Sequence, residues 1–364
     1  MRRILSCALA CALAFAPATL SRAASYTITS LDGFDGTKPA FINNNGQVAG
    51  ETSASITPYG PALYSGGVTI ALGSLGVPGG VNYASGINAS GQIVGGSGTN
   101  FPGSEYHAFL YSNGVMNDLG TLGGLTSDSR SINDLGQVVG SSQNSATSST
   151  AYLYSGGVMT DLNSLIDPSS GWNLIAASCI NNSGQIAGIG FNNGKLESFL
   201  FSNGAVAALG PSFLTTPLGI NSNGQVVGYS ASTDGNFSNA FLYYGGTLHL
   251  LGTIPGGSDS IGYSVNASGQ VVGYALGSDA KDRAFVYQGG SMQDLNTLID
   301  PALHWNLRRA TSINDLGQIV GFGTVNGVPH VFLLTPTPEP SSFVLAALGL
   351  ASLAAFKWRR RRRA

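Results

Sequence analysis

The chain is patterned by short apolar runs that end on glycine turns, with no long helical period between them. One nonamer recurs seven times, as INNNGQVAG from Ile42, INASGQIVG from Ile87, INDLGQVVG from Ile132, INNSGQIAG from Ile180, INSNGQVVG from Ile220, VNASGQVVG from Val265 and INDLGQIVG from Ile313. Its asparagines are Asn43, Asn88, Asn133, Asn181, Asn221, Asn266 and Asn314, spaced by 45, 45, 48, 40, 45 and 48 residues. A second string follows each of the first six nonamers: PALYSGGV at Pro61, HAFLYSNGV at His107, AYLYSGGV at Ala151, SFLFSNGAV at Ser198, AFLYYGGTL at Ala240 and AFVYQGGSM at Ala284. Asn-Gly or Gly-Gly after an apolar-aromatic run marks a two-residue hairpin, because both turn positions need positive φ. The N-x-x-G-Q stretch is likewise a turn, closed by the Asn side chain with Gly in the left-handed position.

Each unit therefore reads as four short strands. For the second unit they fall near Ala84 to Ile87, Gln92 to Gly95, His107 to Tyr111 and Val115 to Leu122. A period of 40–48 residues points to a propeller or a solenoid. Four antiparallel strands make a blade, and seven blades make a closed ring that hides most sheet edges. The seventh unit has His330-Val331-Phe332-Leu333-Leu334 but no fourth strand, while Tyr26-Thr27-Ile28-Thr29-Ser30-Leu31 precedes the first unit. That segment supplies the missing strand beside residues 331–334. A solenoid would instead need polar caps, and none is evident. The expected fold is an all-β, seven-bladed β-propeller over residues 24–335, closed by its N-terminal strand.

Composition narrows the function. The 364 residues include 52 Gly and are 9% charged. Low charge with 43% apolar residues excludes an acidic or basic disordered linker. Glycine without a Gly-X-Y period excludes collagen. The net charge of −2 hides an asymmetry, since nine of the 16 basic residues lie at the two ends. Residues 24–338 hold seven Lys/Arg against 17 Asp/Glu, which leaves −10. Such a body is no nucleic-acid binder, because phosphate neutralisation supplies most of that affinity.

The ends read as addresses. Residues 1–23 have Arg2 and Arg3, an apolar Ile4 to Leu20, and Ser21-Arg22-Ala23, which fits a secretory signal helix cut after Ala23 by signal peptidase. An uncleaved anchor is the alternative. Removal leaves Cys179 as the single cysteine, so no internal disulfide is expected, and burial suits it better than reactivity. The C-terminal segment 336–364 has three parts: Pro338-Glu339-Pro340, an uncharged run from Ser341 to Phe356, and Lys357-Trp358 followed by Arg359 to Arg363. A transmembrane helix is expected over about 341–358, with Lys357 and Trp358 at the interface and the basic end cytoplasmic.

This tail resembles the PEP-CTERM sorting domain over Thr337 to Arg363. The resemblance implies processing by an exosortase near Pro338-Glu339-Pro340 and a fate at the cell surface or in an extracellular biofilm matrix. A plain single-pass anchor is the alternative. The repeats, over residues 26–335, resemble the HAF family of extracellular repeats, named for His-Ala-Phe as at His107-Ala108-Phe109. Other units carry Pro61, Thr150, Glu197, Asn239 and Arg283 at the His position, so a His chemistry shared by the blades is not expected.

Length variation falls on the two longer connections of each unit, which emerge on one face, as binding surfaces usually do. The two longest contain DLNSLIDPSSGWNL and DLNTLIDPALHWNL. Trp172 and Trp305 each lie nine residues before their repeat Asn and are the candidate ligand contacts, since tryptophan stacks on sugar rings. Filling gaps between blades is the alternative. Asp118, Asp161 and Asp294 share one position of the fourth strand and are expected to face solvent.

No HExxH, paired CxxC, GxSxG or phosphate loop occurs, and His107, His249, His304 and His330 sit at unrelated positions. Catalytic, cofactor and metal residues are therefore not assigned. The expectation is an exported, non-enzymatic binding propeller with a glycan or surface-protein ligand. A polysaccharide-acting enzyme, which needs two facing carboxylates, and a structural protein without a ligand are the alternatives.

Overall fold

A computed structural model of the protein describes residues 25–53, 59–76, 81–99, 105–145, 148–210, 215–231 and 238–337. Ala23, Pro338, Glu339, Pro340 and the expected membrane run lie outside them. Each repeat unit forms one four-stranded antiparallel sheet, and there are seven. The second unit shows the pattern, with strands Asn82–Ile87, Ile93–Gly98, Tyr106–Ser112 and Val115–Asp118. Its last strand stops short of the expected Leu122. The Asp118 carboxylate accepts the Gly120 N–H at 2.7 Å, and this side-chain turn ends the ladder.

The innermost strands are Phe41–Ile42, Asn82–Ile87, Gly123–Ile132, Trp172–Ile180, Thr215–Ile220, Ser260–Val265 and Trp305–Ile313. Each packs against the innermost strand of the next blade, the seventh against the first, so the ring is closed around a channel. Closure in the seventh blade is as expected. Tyr26–Leu31 is its outermost strand and pairs with Val328–Pro336 from Tyr26 opposite Pro336 to Leu31 opposite Val331. The first and last strands of the propeller are thus held in one sheet. Among the described residues no helix is long and apolar enough to cross a membrane.

The last glycine of the nonamer is dictated by packing. A Cβ on Gly140 would lie 1.9 Å from the Asp128 carbonyl, and one on Gly95 1.8 Å from the Tyr83 carbonyl. The same position in the second unit sits under the Phe109 ring. These close approaches accompany a register shift in the innermost strand, between Ala84 and Gly86 and between Ser129 and Ser131 for example. Such a bulge bends the strand and re-aims its side chains. The aromatic of the second string fills the core between sheets: Phe109, Phe199, Phe241, Phe285 and Phe332 are fully buried, and Tyr152 takes the place in the third blade.

The two longest connections are twins. Each carries two short 3₁₀ helices, Leu162–Leu165 with Pro168–Ser170, and Leu295–Leu298 with Pro301–Leu303. Asp161 and Asp294 cap the first helix of each, accepting from the N–H of Asn163 and Asn296. This corrects their expected solvent-facing role: with Asp161 also bonded to Thr150, both are built into the connection. Asn163 then brackets the innermost strand, accepting the Leu174 N–H at 2.7 Å and donating to its carbonyl at 3.0 Å. Asn296 does the same to Leu307.

Candidate functional site

The channel has a narrow end, made by the nonamer turns, and a wide mouth on the face of the long connections. At the narrow end the seven repeat asparagines are buried. In its own turn, Asn133 accepts the N–H of Leu135 and of Gln137 and donates to Gln137 Oε1. Its Nδ2 also donates to the Asn181 carbonyl of the next blade at 3.0 Å. The link repeats from Asn43 to Asn88, Asn88 to Asn133, Asn181 to Asn221, Asn221 to Asn266 and Asn266 to Asn314. Asn314 donates to Asn43 at 3.0 Å and completes a ring of seven. The asparagines are turn closers, as the sequence indicated. They are also the bolts between blades, which a turn motif alone does not reveal. Around the ring the channel encloses a cavity of about 200 Å³, and below it, past Ile87, Ile132 and Ile180, another of about 260 Å³.

The wide mouth is a larger cavity of about 560 Å³. One residue from each of six blades lines it, two positions before the nonamer: Ser85, Arg130, Ser178, Leu218, Tyr263 and Thr311. Phe41, Arg309 and Phe322 are also among its walls. A size of about 300–1,000 Å³ is that of small-molecule sites.

Two arginines stand at this mouth, and each is oriented by a carboxylate and tyrosines. The Arg130 Nε lies 2.7 Å from Asp128 Oδ2. The Arg130 side chain is 63% exposed while that of Asp128 is 8% exposed. Tyr83 of the neighbouring blade donates a short hydrogen bond to Asp128. Burial raises the Asp128 pKa, and the opposing pull of Arg130 and of Tyr83 leaves it above the ordinary carboxylate value. Burial, then the adjacent Asp128, pushes the Tyr83 hydroxyl far up, so it remains a donor.

Across the ring, the Arg309 Nε donates to Asp282 Oδ2 at 2.6 Å. Its guanidinium lies 4.2 Å above the Tyr274 ring, which stacks on Tyr263. Burial works against the Arg309 charge, but the Asp282 hydrogen bond and Tyr263 outweigh it and hold the pKa above the usual value. Both side chains are therefore fixed cations at a partly apolar opening.

Trp172 and Trp305 begin the innermost strands of the fourth and seventh blades, and both are half-buried. Trp172 meets Phe199 edge-on at 6.2 Å and packs on the apolar cluster shared by the third and fourth blades. Trp305 meets Phe332 and His330 edge-on at 6.2 and 5.9 Å. Neither lines the mouth cavity. Trp305 lies instead by a side cavity with Asp279, Arg283 and Asn306. Cys179 is buried and free of any disulfide. Among the described residues no group of three or more His, Cys, Asp or Glu could hold a metal.

With the geometry in hand, comparison places the chain among known proteins. Residues 336–362 match the PEP-CTERM protein-sorting motif. That motif marks an exported chain with a membrane-anchored sorting signal, processed by an exosortase. It contains Pro338, Glu339 and Pro340. No curated protein matches the sequence. Among solved structures, the chain is similar to a puromycin-hydrolysing peptidase of Mycobacterium tuberculosis, with a TM-score of 0.51, 13% identity, and coverage of 87% of this chain and 55% of that one. A gluconolactonase of Xanthomonas campestris aligns at TM-score 0.39 and 12% identity, over 82% of this chain and 98% of its own. TolB of Acinetobacter baumannii aligns at 0.44 and 15%, over 86% and 80%. At such identities the peptidase match speaks for the fold alone, and no residue role passes from any of the three.

Proposed function

We propose that the protein is an exported, non-enzymatic binding propeller, processed at its C-terminus by an exosortase, whose ligand sits in the wide mouth of the channel. The observation that carries this reading is the 560 Å³ cavity with Arg130 and Arg309 held at its wall. The carboxylates next to the mouth, Asp128 and Asp282, are each engaged by an arginine and do not line the cavity. That arrangement favours recognition over glycoside hydrolysis, whose usual machinery is two carboxylates facing the substrate. The reading also takes in a signal cut after Ala23, a membrane-crossing run over about 341–358, kinship of the repeats with HAF proteins, and a final place at the cell surface or in a matrix. Trp172 and Trp305 enter it as candidate ligand contacts outside the mouth.

The test is a glycan array probed with the full chain in mild detergent, beside Ser178→Trp, which fills the mouth, and the Trp172→Ala, Trp305→Ala double variant. Binding that Ser178→Trp weakens at least tenfold supports the mouth. Binding that only the double variant loses moves the site to the tryptophans. Shortened glycans in mass spectra of the incubation would overturn the non-enzymatic reading.

A further inference from the structure

We infer that the mouth selects an acidic saccharide, a small polyol bearing carboxylate groups, which Arg130 and Arg309 grip. This rests on the proposed mouth site and names its ligand class. The first ground is how the charge is placed. The body between residues 24 and 338 has only seven Lys/Arg against 17 acidic residues, yet two of the seven line this one cavity. In a body so poor in basic residues, two guanidiniums thus meet at a single opening.

The second ground is geometry. In both arginines the Nε edge is taken by a carboxylate, Asp128 at 2.7 Å and Asp282 at 2.6 Å. The terminal Nη groups of Arg130 have no protein partner among the described residues. A guanidinium anchored through Nε offers its remaining donors as a pre-organised fork, the shape that fits a carboxylate.

The third ground is the rest of the wall. Ser178 brings a hydroxyl that exchanges hydrogen bonds with a polyol, while Ser85 and Thr311 give theirs to the Ser129 and Ala40 carbonyls. Phe41, Tyr263 and Phe322 bring the apolar faces on which a sugar ring lies. A carboxylate meets such a fork with two parallel N–H···O bonds, where a hydroxyl of a neutral sugar accepts one at a time.

The experiment is calorimetric titration of the full chain in mild detergent with disaccharides of glucuronate, galacturonate and mannuronate, each beside its neutral counterpart. At least one acidic sugar is expected to bind tenfold or more tightly than its neutral counterpart. That preference should shrink as salt rises from 20 to about 500 mM, because the Debye length falls from tens of ångströms to a few. Arg130→Gln and Arg309→Gln should each remove most of it. The salt series on the unaltered chain decides the matter even where a variant folds poorly. Equal binding of acidic and neutral sugars, lost in Ser178→Trp, would overturn the acid preference while leaving the mouth as the site. Neutral and acidic sugars that bind equally well to Ser178→Trp would overturn both, and no binding by any member of the panel would overturn the acidic-saccharide ligand.

Discussion

At the scale of single residues, the third blade carries a local misfit that can be measured. Tyr152 occupies the place that Phe109, Phe199, Phe241, Phe285 and Phe332 fill elsewhere, and it is fully buried. Its hydroxyl is the one buried side-chain polar atom without a hydrogen-bond partner among the described residues. Burying a hydroxyl without a partner costs about 1–3 kcal/mol. Tyr152→Phe is therefore expected to stabilise the protein by about 1 kcal/mol, read from the urea midpoint; a lower midpoint would mean that the hydroxyl is bonded after all. Cys179 gives a second test. Burial pushes its thiol up to about 12 from the usual 9.0. Between these values the unfolded chain releases a proton that the native chain keeps, so unfolding gains on folding as pH rises, by about 1.4 kcal/mol per pH unit. The contribution is present in full below pH 9 and lost on the way to 12. Wild type should lose stability faster than Cys179→Ala across that window, and iodoacetamide should leave the native thiol unmodified at pH 8.

At the scale of elements, the sequence was most readable where chemistry repeats. The Asn and Gly of the nonamer and the Asn-Gly or Gly-Gly of the second string announce their own turns, and the turns leave room for little besides short antiparallel strands. The absent fourth strand of the last unit pointed straight to Tyr26–Leu31. The mouth was far less legible. Its residues lie two positions before each nonamer, where Ser85, Arg130, Ser178, Leu218, Tyr263 and Thr311 share no chemistry. The bulge in the innermost strand also shifts alternation by one residue, so simple period-two reading assigns the wrong face. Comparing that single position across all units would have exposed the ring of differing side chains. The DLN triplets were legible as a pattern but not as brackets, since the partner Leu174 lies 11 residues from Asn163. Asn163→Ala strips the Leu174 N–H of its side-chain acceptor and leaves its carbonyl only the long 3.5 Å bond from Thr150 Oγ1. It should cost about 2–3 kcal/mol in chemical denaturation, with Asn296→Ala costing a similar amount at Leu307. A loss below 0.5 kcal/mol in both would show that the bracket is idle.

At the scale of the whole molecule, everything depends on joining two strands that lie at opposite ends of the chain. Thr27 sits opposite Thr335, 308 residues away, with Thr27 Oγ1 bonded to the Thr335 carbonyl at 3.3 Å. A Thr27→Cys, Thr335→Cys disulfide closes nearly the whole propeller into one loop and should add about 5 kcal/mol, the value expected for loops of a hundred residues or more. Urea midpoints of the oxidised and reduced forms measure it; no difference would mean that the strand pair opens before the ring does. The site of closure has one more consequence. The strand that receives Tyr26–Leu31 runs to Pro336, and the sorting motif begins at residue 336. A ribosome therefore writes the address directly after the last strand that the ring requires. Any chain ended before the closing strand is finished, by a stop codon or by proteolysis, lacks the address as well. Sorting thereby doubles as proofreading: only a polypeptide long enough to shut its ring carries the label that sends it on.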